Sequence, residues 1–346
     1  MSKITIVIPL LNRHEFTERV LSYYNLNKVE YLFYIADGSK KKRFNQNFLK
    51  KKFPHVNIIY RRFPFDKNFR LFNKKMVKVA DSIKSQYVYQ IANDDFFNPN
   101  FLKKSEQFLS QNKSYDFVGG KVRNFKIVQL FNNVNDFGFF KMQKLDQYWH
   151  YKNAYKSIKN KSKIKRVGSL ESSLTYECVI KSSTYLEIWK NAYKFKITDS
   201  FELNWFMNII PLIRGKKLFI NMTSTLRQSN THEGLGLTEM LRTGAKKERY
   251  INFLIFLKDQ NILTSKSIIE KLKRTKASYL DIIDPLSVEG KKHFFKRKWF
   301  PVYVFIKDNM KKLNFYLFYI FFLFRKNKYK TLFYEIKTHF DDKKNI

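Results

Sequence analysis

Cysteine is almost absent from this 346-residue chain. Cys178 stands alone, so no intramolecular disulfide and no cysteine-based zinc site can form, and a reducing compartment is the expected setting. Long apolar runs are missing too: none reaches the roughly 18 residues of a membrane-spanning helix. The opening MSKITIVIPLLNRHE has neither the longer apolar core nor the small-residue cleavage site of a secretory signal. Glycine is sparse, and neither a Gly-rich Walker-type loop nor a GxSxG elbow occurs. Those gaps count against a P-loop kinase and an α/β-hydrolase. Acidic groups are few: 29 against 67 basic side chains, a net charge of +38.

Such a balance points to nucleic acid, an anionic membrane surface or acidic substrates. A compositional reading competes with all three. Lys outnumbers Arg 52 to 15, and Asn, Ile and Phe are also common. All four have A/T-rich codons. The excess is spread evenly with no basic tail, which argues against nucleic acid as a partner.

Apolar content of 44% is enough for a sizeable core. The first hundred residues alternate strand and helix signals. Ile4 to Pro9 (ITIVIP) is a short β-branched run stopped by proline. Asn12 then stands where it could cap a helix with Phe16, Val20 and Tyr24 on one face. Tyr31 to Ala36 (YLFYIA) ends at the turn Asp37-Gly38-Ser39, and Val56 to Tyr60 is a third run. Helical spacing follows through Phe69, Phe72, Met76, Val79, Ala80 and Ile83. Tyr87 to Ala92 is a fourth strand, ending in Asn93-Asp94-Asp95. This alternation predicts a mainly parallel α/β sheet flanked by helices. Ligands of such sheets bind beyond the carboxyl ends of the strands. Three strand ends carry polar groups, Asn12 and Arg13, Asp37, and the Asn93-Asp94-Asp95 triplet, and they should share one rim.

Farther on, Asp116 to Val122 (DFVGGKV) reads as a strand through a close-packed Gly119-Gly120 pair. Lys156 to Lys165 reads as a lysine-rich loop and Tyr176 to Ile180 as another strand. Ile197 to Ile213 opens on Thr198-Asp199 with Glu202 three residues beyond, a helix-start pattern, and Pro211 limits or kinks that helix. Lys217 to Met222 should be a strand and Thr223 to Gly236 a polar loop carrying Arg227, His232 and Glu233. The expected division is an α/β domain over 1–235 and a helical, basic, aromatic region over 236–346. The latter reads as two basic amphipathic helices, 239–257 and 265–283, then the run FYLFYIFFLF at 315–324 between basic flanks.

Adjacent carboxylates at a strand end can seat a divalent cation that bridges a diphosphate. Alone, NDD is weak, since such doublets are common in turns. In order, though, ITIVIPLLNR, FYIADGS, QIANDDF and TDSFELNWFMNIIPLIRGKK resemble the four signature stretches of GT-A-fold glycosyltransferases, in particular the inverting family 2 type. The resemblance covers roughly residues 3–220. It implies a GT-A fold and sugar transfer from a nucleotide-sugar, most often a UDP-sugar, to a hydroxyl of a surface-glycan or lipid-linked acceptor.

By the same resemblance Pro9, Asn12 and Arg13 line the nucleotide pocket, and Asp37 bonds the base. Asp94 contacts ribose or metal and Asp95 ligates Mn²⁺ or Mg²⁺. Asn93 stands where the usual DxD motif has an acid. Asp199 matches the catalytic base, with Thr198 in place of the usual Glu, and Glu202 is the substitute. An inverting transfer needs one such base, to take the proton from the attacking hydroxyl. Arg227 suits the diphosphate, because its fork donates in pairs. His232 is a candidate third metal ligand. Two other readings stay open: nucleotidyl transfer onto a sugar phosphate, and a non-catalytic basic protein that binds nucleic acid or membrane. The first usually needs a Gly-rich stretch where this chain has LLNRHE.

Ten apolar residues of helix span only about 15 Å, half a bilayer core, so residues 315–324 with their basic flanks fit an in-plane anchor. The expected location is cytoplasmic, with peripheral contact on the inner face of the membrane. Co-sedimentation with anionic vesicles should weaken when residues 299–330 are removed or salt is raised. No binding even at low salt would contradict the anchor.

Overall fold

The computed structural model describes residues 3–128, 139–142, 157–167, 177–197 and 200–228, with a few positions among 256–262 and 334–340. The chain divides into two compact units, Met1–Gly244 with Leu332–Ile346, and Ala245–Thr331. The expected helices over 239–283 and the 315–324 run fall almost wholly outside the described residues. No described helix is long and apolar enough to cross a membrane.

The first unit is built on the mixed, mainly parallel sheet expected. Its elements run β1 (Ile4–Leu10), α1 (His14–Leu26), β2 (Leu32–Asp37), α2 (Gln46–Lys52), β3 (Asn57–Arg62), α3 (Phe69–Ser82), β4 (Tyr87–Gln90), β5 (Phe96–Phe97) and α4 (Pro99–Gln111). They continue through β6 (Tyr115–Val128), β7 (Phe139–Met142), α5 (Lys163–Val167), β8 (Val179–Lys181), α6 (Ser182–Lys194), α7 (Ser200–Arg214) and β9 (Lys216–Gln228). The strand order is β3-β2-β1-β4-β8-β6-β9-β5, and β7 pairs with β6. β3, β2, β1 and β4 are parallel neighbours. β8 lies antiparallel between β4 and β6. β9 runs parallel to β6, and β5 antiparallel to β9. The carboxyl ends of β1–β4, β6 and β9 therefore face one way, and the amino end of β8 joins them.

The central strands are near-continuous apolar runs because helices cover both faces. Ile4, Ile6, Ile8, Phe33, Ile35 and Tyr89 are buried in one cluster. The two aromatics after the acidic doublet belong to it. Tyr24 of α1 stacks on Phe97 at 4.2 Å between ring centroids and donates to its carbonyl. Phe96 and Phe97 thus form β5 and pin the chain immediately after Asp95.

Gly119 and Gly120 are close-packed as expected: a Cβ at Gly119 would lie 2.9 Å from Cys178 Sγ, and one at Gly120 2.8 Å from the Met222 carbonyl. Pro211 lies inside α7, which ends three residues later. Arg166 of α5 then closes that end, donating to the Leu212 and Ile213 carbonyls at 2.7 and 3.0 Å.

Three expectations need correction. Asn12 does not cap α1: Arg13 holds that place, with no side-chain cap. Asn12 instead adopts a left-handed φ of 57°. That turns its side chain across to accept from the Lys40 N–H. The lysine-rich loop is helical from Lys163, as α5. The polar loop expected over Thr223 to Gly236 is strand as far as Gln228, where β9 ends, and 229–236 lie outside the described residues. The polar residues of β9 stay in the sheet because they are satisfied there: Ser224 donates to the Lys121 carbonyl, and Thr225 bonds the Tyr89 hydroxyl.

Beneath the β2 turn lies a buried ion pair. Lys75 of α3 donates to Asp66 and to the Ala36 carbonyl. Burial pushes Asp66 up and Lys75 down, and each partner pulls the other back. Lys75→Ala strands the carboxylate and should cost about 3–5 kcal/mol in urea unfolding. Lys75→Met combined with Asp66→Asn should cost clearly less. A near-neutral Lys75→Ala would contradict this.

Candidate active site

The rim formed by the strand ends carries two linked groups of charge. The first surrounds Asp37, the last residue of β2, which is completely buried. Its oxygens accept from Ser39 N–H at 2.8 Å, Tyr60 hydroxyl at 2.7 Å and Arg62 at 3.0 Å. His14 Nε2 is 3.5 Å away. Burial pushes the carboxyl up, but the nearby His14 imidazole and the bonds from Ser39 and Tyr60 outweigh it and hold it below the usual carboxylate range. Arg62 also donates to the Ser39 and Lys40 carbonyls. Asn12 closes the turn from the β1 side, its N–H donating to Ser39 Oγ at 2.7 Å. Gly38 is required by packing, since a Cβ there would meet Asp66 Oδ2 at 2.1 Å. Pro9 sits half-buried beside Ala36 in register.

The second group surrounds the doublet. Between β4 and β5, Asn93, Asp94 and Asp95 are all buried. Asn93 donates to the Arg13 carbonyl at 3.3 Å. Arg13 bonds Asp94 Oδ2 at 2.7 Å, with Asp94 only 5% exposed. Phe16 supports this arginine from below, the Arg13 guanidinium lying 4.3 Å from its ring centre and that of Arg19 5.0 Å. Asp95 Oδ1 accepts from the Gln228 N–H at 3.1 Å, and the Gln228 side chain accepts from Arg19. Burial first, then the charge of Asp94, pushes Asp95 well up, while Arg227 and the Gln228 N–H pull it back.

Arg227 stands on β9, not on a loop, and pairs with Glu177 at the amino end of β8. The structure thus brings Pro9, Asn12, Arg13, Asp37, Asn93, Asp94, Asp95 and Arg227 to one rim. Asp199 and His232 lie outside the described residues. Glu202 is in α7, but its side chain is likewise not described. Sequence reasoning missed Tyr60, Arg62, Glu177 and Gln228. Tyr60 and Arg62 could have been found at the end of the third apolar run, beside Asp37. Glu177 carries only the weak signal of an acid leading into an apolar strand.

Among the described residues no three His, Cys, Asp or Glu side chains are assembled as a metal cage. The donor set nevertheless suits a hard divalent cation. Two adjacent buried carboxylates repel, and Glu177 Oε2 is buried with no hydrogen-bond partner. A cation there would relieve both.

No family model matches the chain, and no curated protein matches it. Solved structures similar to it include S. aureus TarS 1–349 in complex with UDP-GlcNAc. That comparison has 12% identity, covers 87% of this chain and 76% of that one, and has a TM-score of 0.48. The same TarS segment with UDP has 12% identity, 66% and 61% coverage, and a TM-score of 0.40. A longer S. aureus TarS structure has 10% identity and a TM-score of 0.43, with 77% of this chain covered. The chain spans half the length of that protein.

The depressed Asp37 carboxyl sets an acid limit. Its folded pKa lies below the unfolded one, so its contribution is present above about pH 4 and lost as pH falls through the folded value. Asp37→Asn should be less stable at pH 7 and lose less between pH 4 and 2 than the unaltered chain. Parallel pH–stability curves would contradict this.

Proposed function

We propose that the chain is a nucleotide-sugar-dependent, metal-assisted glycosyltransferase that moves a hexosyl group to a hydroxyl of a glycan or lipid-linked acceptor. One observation carries the reading. A buried carboxylate doublet sits at the carboxyl rim of a mainly parallel sheet, between two arginines, Arg13 and Arg227. That is the charge pattern a cation-bound diphosphate needs: carboxylates for the metal, guanidinium forks for phosphate oxygens.

In this reading Asp94 and Asp95 hold Mn²⁺ or Mg²⁺, with His232 as a further ligand. The cation supplies charge neutralisation of the leaving nucleoside diphosphate. Arg13 and Arg227 orient the diphosphate, and Asn93 fixes the Arg13 backbone. Pro9 and Asn12 line the nucleotide side. Asp37 has its oxygens taken up by Tyr60, Arg62 and Ser39. Its part in base recognition is therefore to hold those neighbours in place; a uridine base is the candidate. Asp199 serves as the base that accepts the acceptor's proton, with Glu202 as the substitute, and the sugar inverts. Nucleotidyl transfer is disfavoured because the turn after β1 is Leu11-Asn12-Arg13, tied down by Asn12, rather than a glycine loop.

Assays across UDP-, GDP- and CMP-sugars should find turnover with one donor class, stimulated by Mn²⁺ or Mg²⁺. Asp95→Ala should lower it on the order of 100-fold. Intact turnover and metal dependence in Asp95→Ala would overturn the reading. Pyrophosphate release from a nucleoside triphosphate would replace it with nucleotidyl transfer.

A further inference from the structure

Glu177 is an acidic residue of the rim to which the proposed reaction gives no part. It is 2% exposed, and its backbone φ of 63° is one that residues with a side chain seldom adopt. One carboxylate oxygen accepts from Arg227, and the other is buried with no hydrogen-bond partner. Buried carboxylate oxygens are ordinarily satisfied; Asp66 and Asp116 each have another such oxygen, but that of Glu177 belongs to a carboxylate held on an arginine of the rim. Glu177 also stands near the doublet: its partner Arg227 is next in the chain to Gln228, whose N–H bonds Asp95, and the charge of Glu177 pushes Asp95 up while that of Arg227 pulls it back.

The doublet by itself is short of oxygen donors for a hard cation. Asp94 already serves Arg13, and Asp95 already serves the Gln228 N–H. Mn²⁺ and Mg²⁺ take about six oxygens, water and phosphate commonly among them, so a third carboxylate would raise the protein's own share of the shell. Arg227 meanwhile has two claims on it, Glu177 in the structure and the diphosphate in the proposed reaction. A single rearrangement answers both needs.

We propose that Glu177 is the third carboxylate of the cation seat, held on Arg227 until the cation draws it over, and that its transfer frees Arg227 for the diphosphate. The inference rests on the reading of Asp94 and Asp95 as cation ligands. No bond is made or broken; one ion pair is exchanged for two. With Arg227 on Glu177, the three carboxylates are not assembled as a cage, in keeping with the arrangement described above.

Binding of Mn²⁺ alone to the full chain, read from the electron paramagnetic resonance of free Mn²⁺, tests this. Glu177→Gln keeps the shape and an acceptor for Arg227, and should weaken Mn²⁺ binding about tenfold or more. Arg227→Gln removes the competitor and should tighten Mn²⁺ binding several-fold. Equal affinity in Glu177→Gln and the unaltered chain, with loss in Asp95→Ala, would overturn the role of Glu177 and leave the doublet as the seat. No Mn²⁺ binding by the unaltered chain would overturn both readings. Should Glu177→Gln fail to fold, Arg227→Gln decides: unchanged or weaker binding counts against the exchange.

Discussion

The hydrogen bond from the Gln228 N–H to Asp95 joins residues 133 positions apart and holds the rim together. Two adjacent buried carboxylates are unstable without donors around them. Here the donors come from opposite directions. Arg13, at the start of α1, takes Asp94, and the end of β9 takes Asp95. β5 follows the doublet at once and pairs with the same stretch of β9, so the turn between β4 and β5 has little freedom. β6 and β9 shift register around Gly119 to Val122, where the glycines allow close approach.

The two halves of the rim are built differently. Around Asp37 both carboxylate oxygens are bonded, and below it Lys75 holds one oxygen of Asp66 while the other is buried without a partner. Around the doublet the charges are only partly balanced, and Glu177 keeps one oxygen idle. In the proposed function the bonded groups around Asp37 would hold the nucleotide side, and the charge around the doublet would be completed by cation and diphosphate.

The sequence made some of this legible. The apolar runs from Ile4, Tyr31, Val56 and Tyr87 became β1 to β4, because buried parallel strands need continuous apolar residues. Their polar ends met on one rim because parallel neighbours end on the same side. The rest depended on distant partners. Nothing local marks β8 as antiparallel, yet that orientation is what brings Glu177 to the rim. Thr223 to Gln228 look like loop residues until Lys121 and Tyr89 are present to bond them. Asn12 obeys the local rule for a cap but has a better acceptor role across the sheet, at Lys40. Helix α6 is legible too, since Tyr185, Ile188, Trp189 and Ala192 lie at helical spacing and are buried.

The central claim is that the carboxylate doublet binds a nucleoside diphosphate through a divalent cation. Calorimetric titration of UDP into the full chain, with Mn²⁺ and then with the cation chelated, tests it directly. The account predicts binding that depends on Mn²⁺ and is lost on chelation. UDP binding of equal strength without any divalent cation would contradict it.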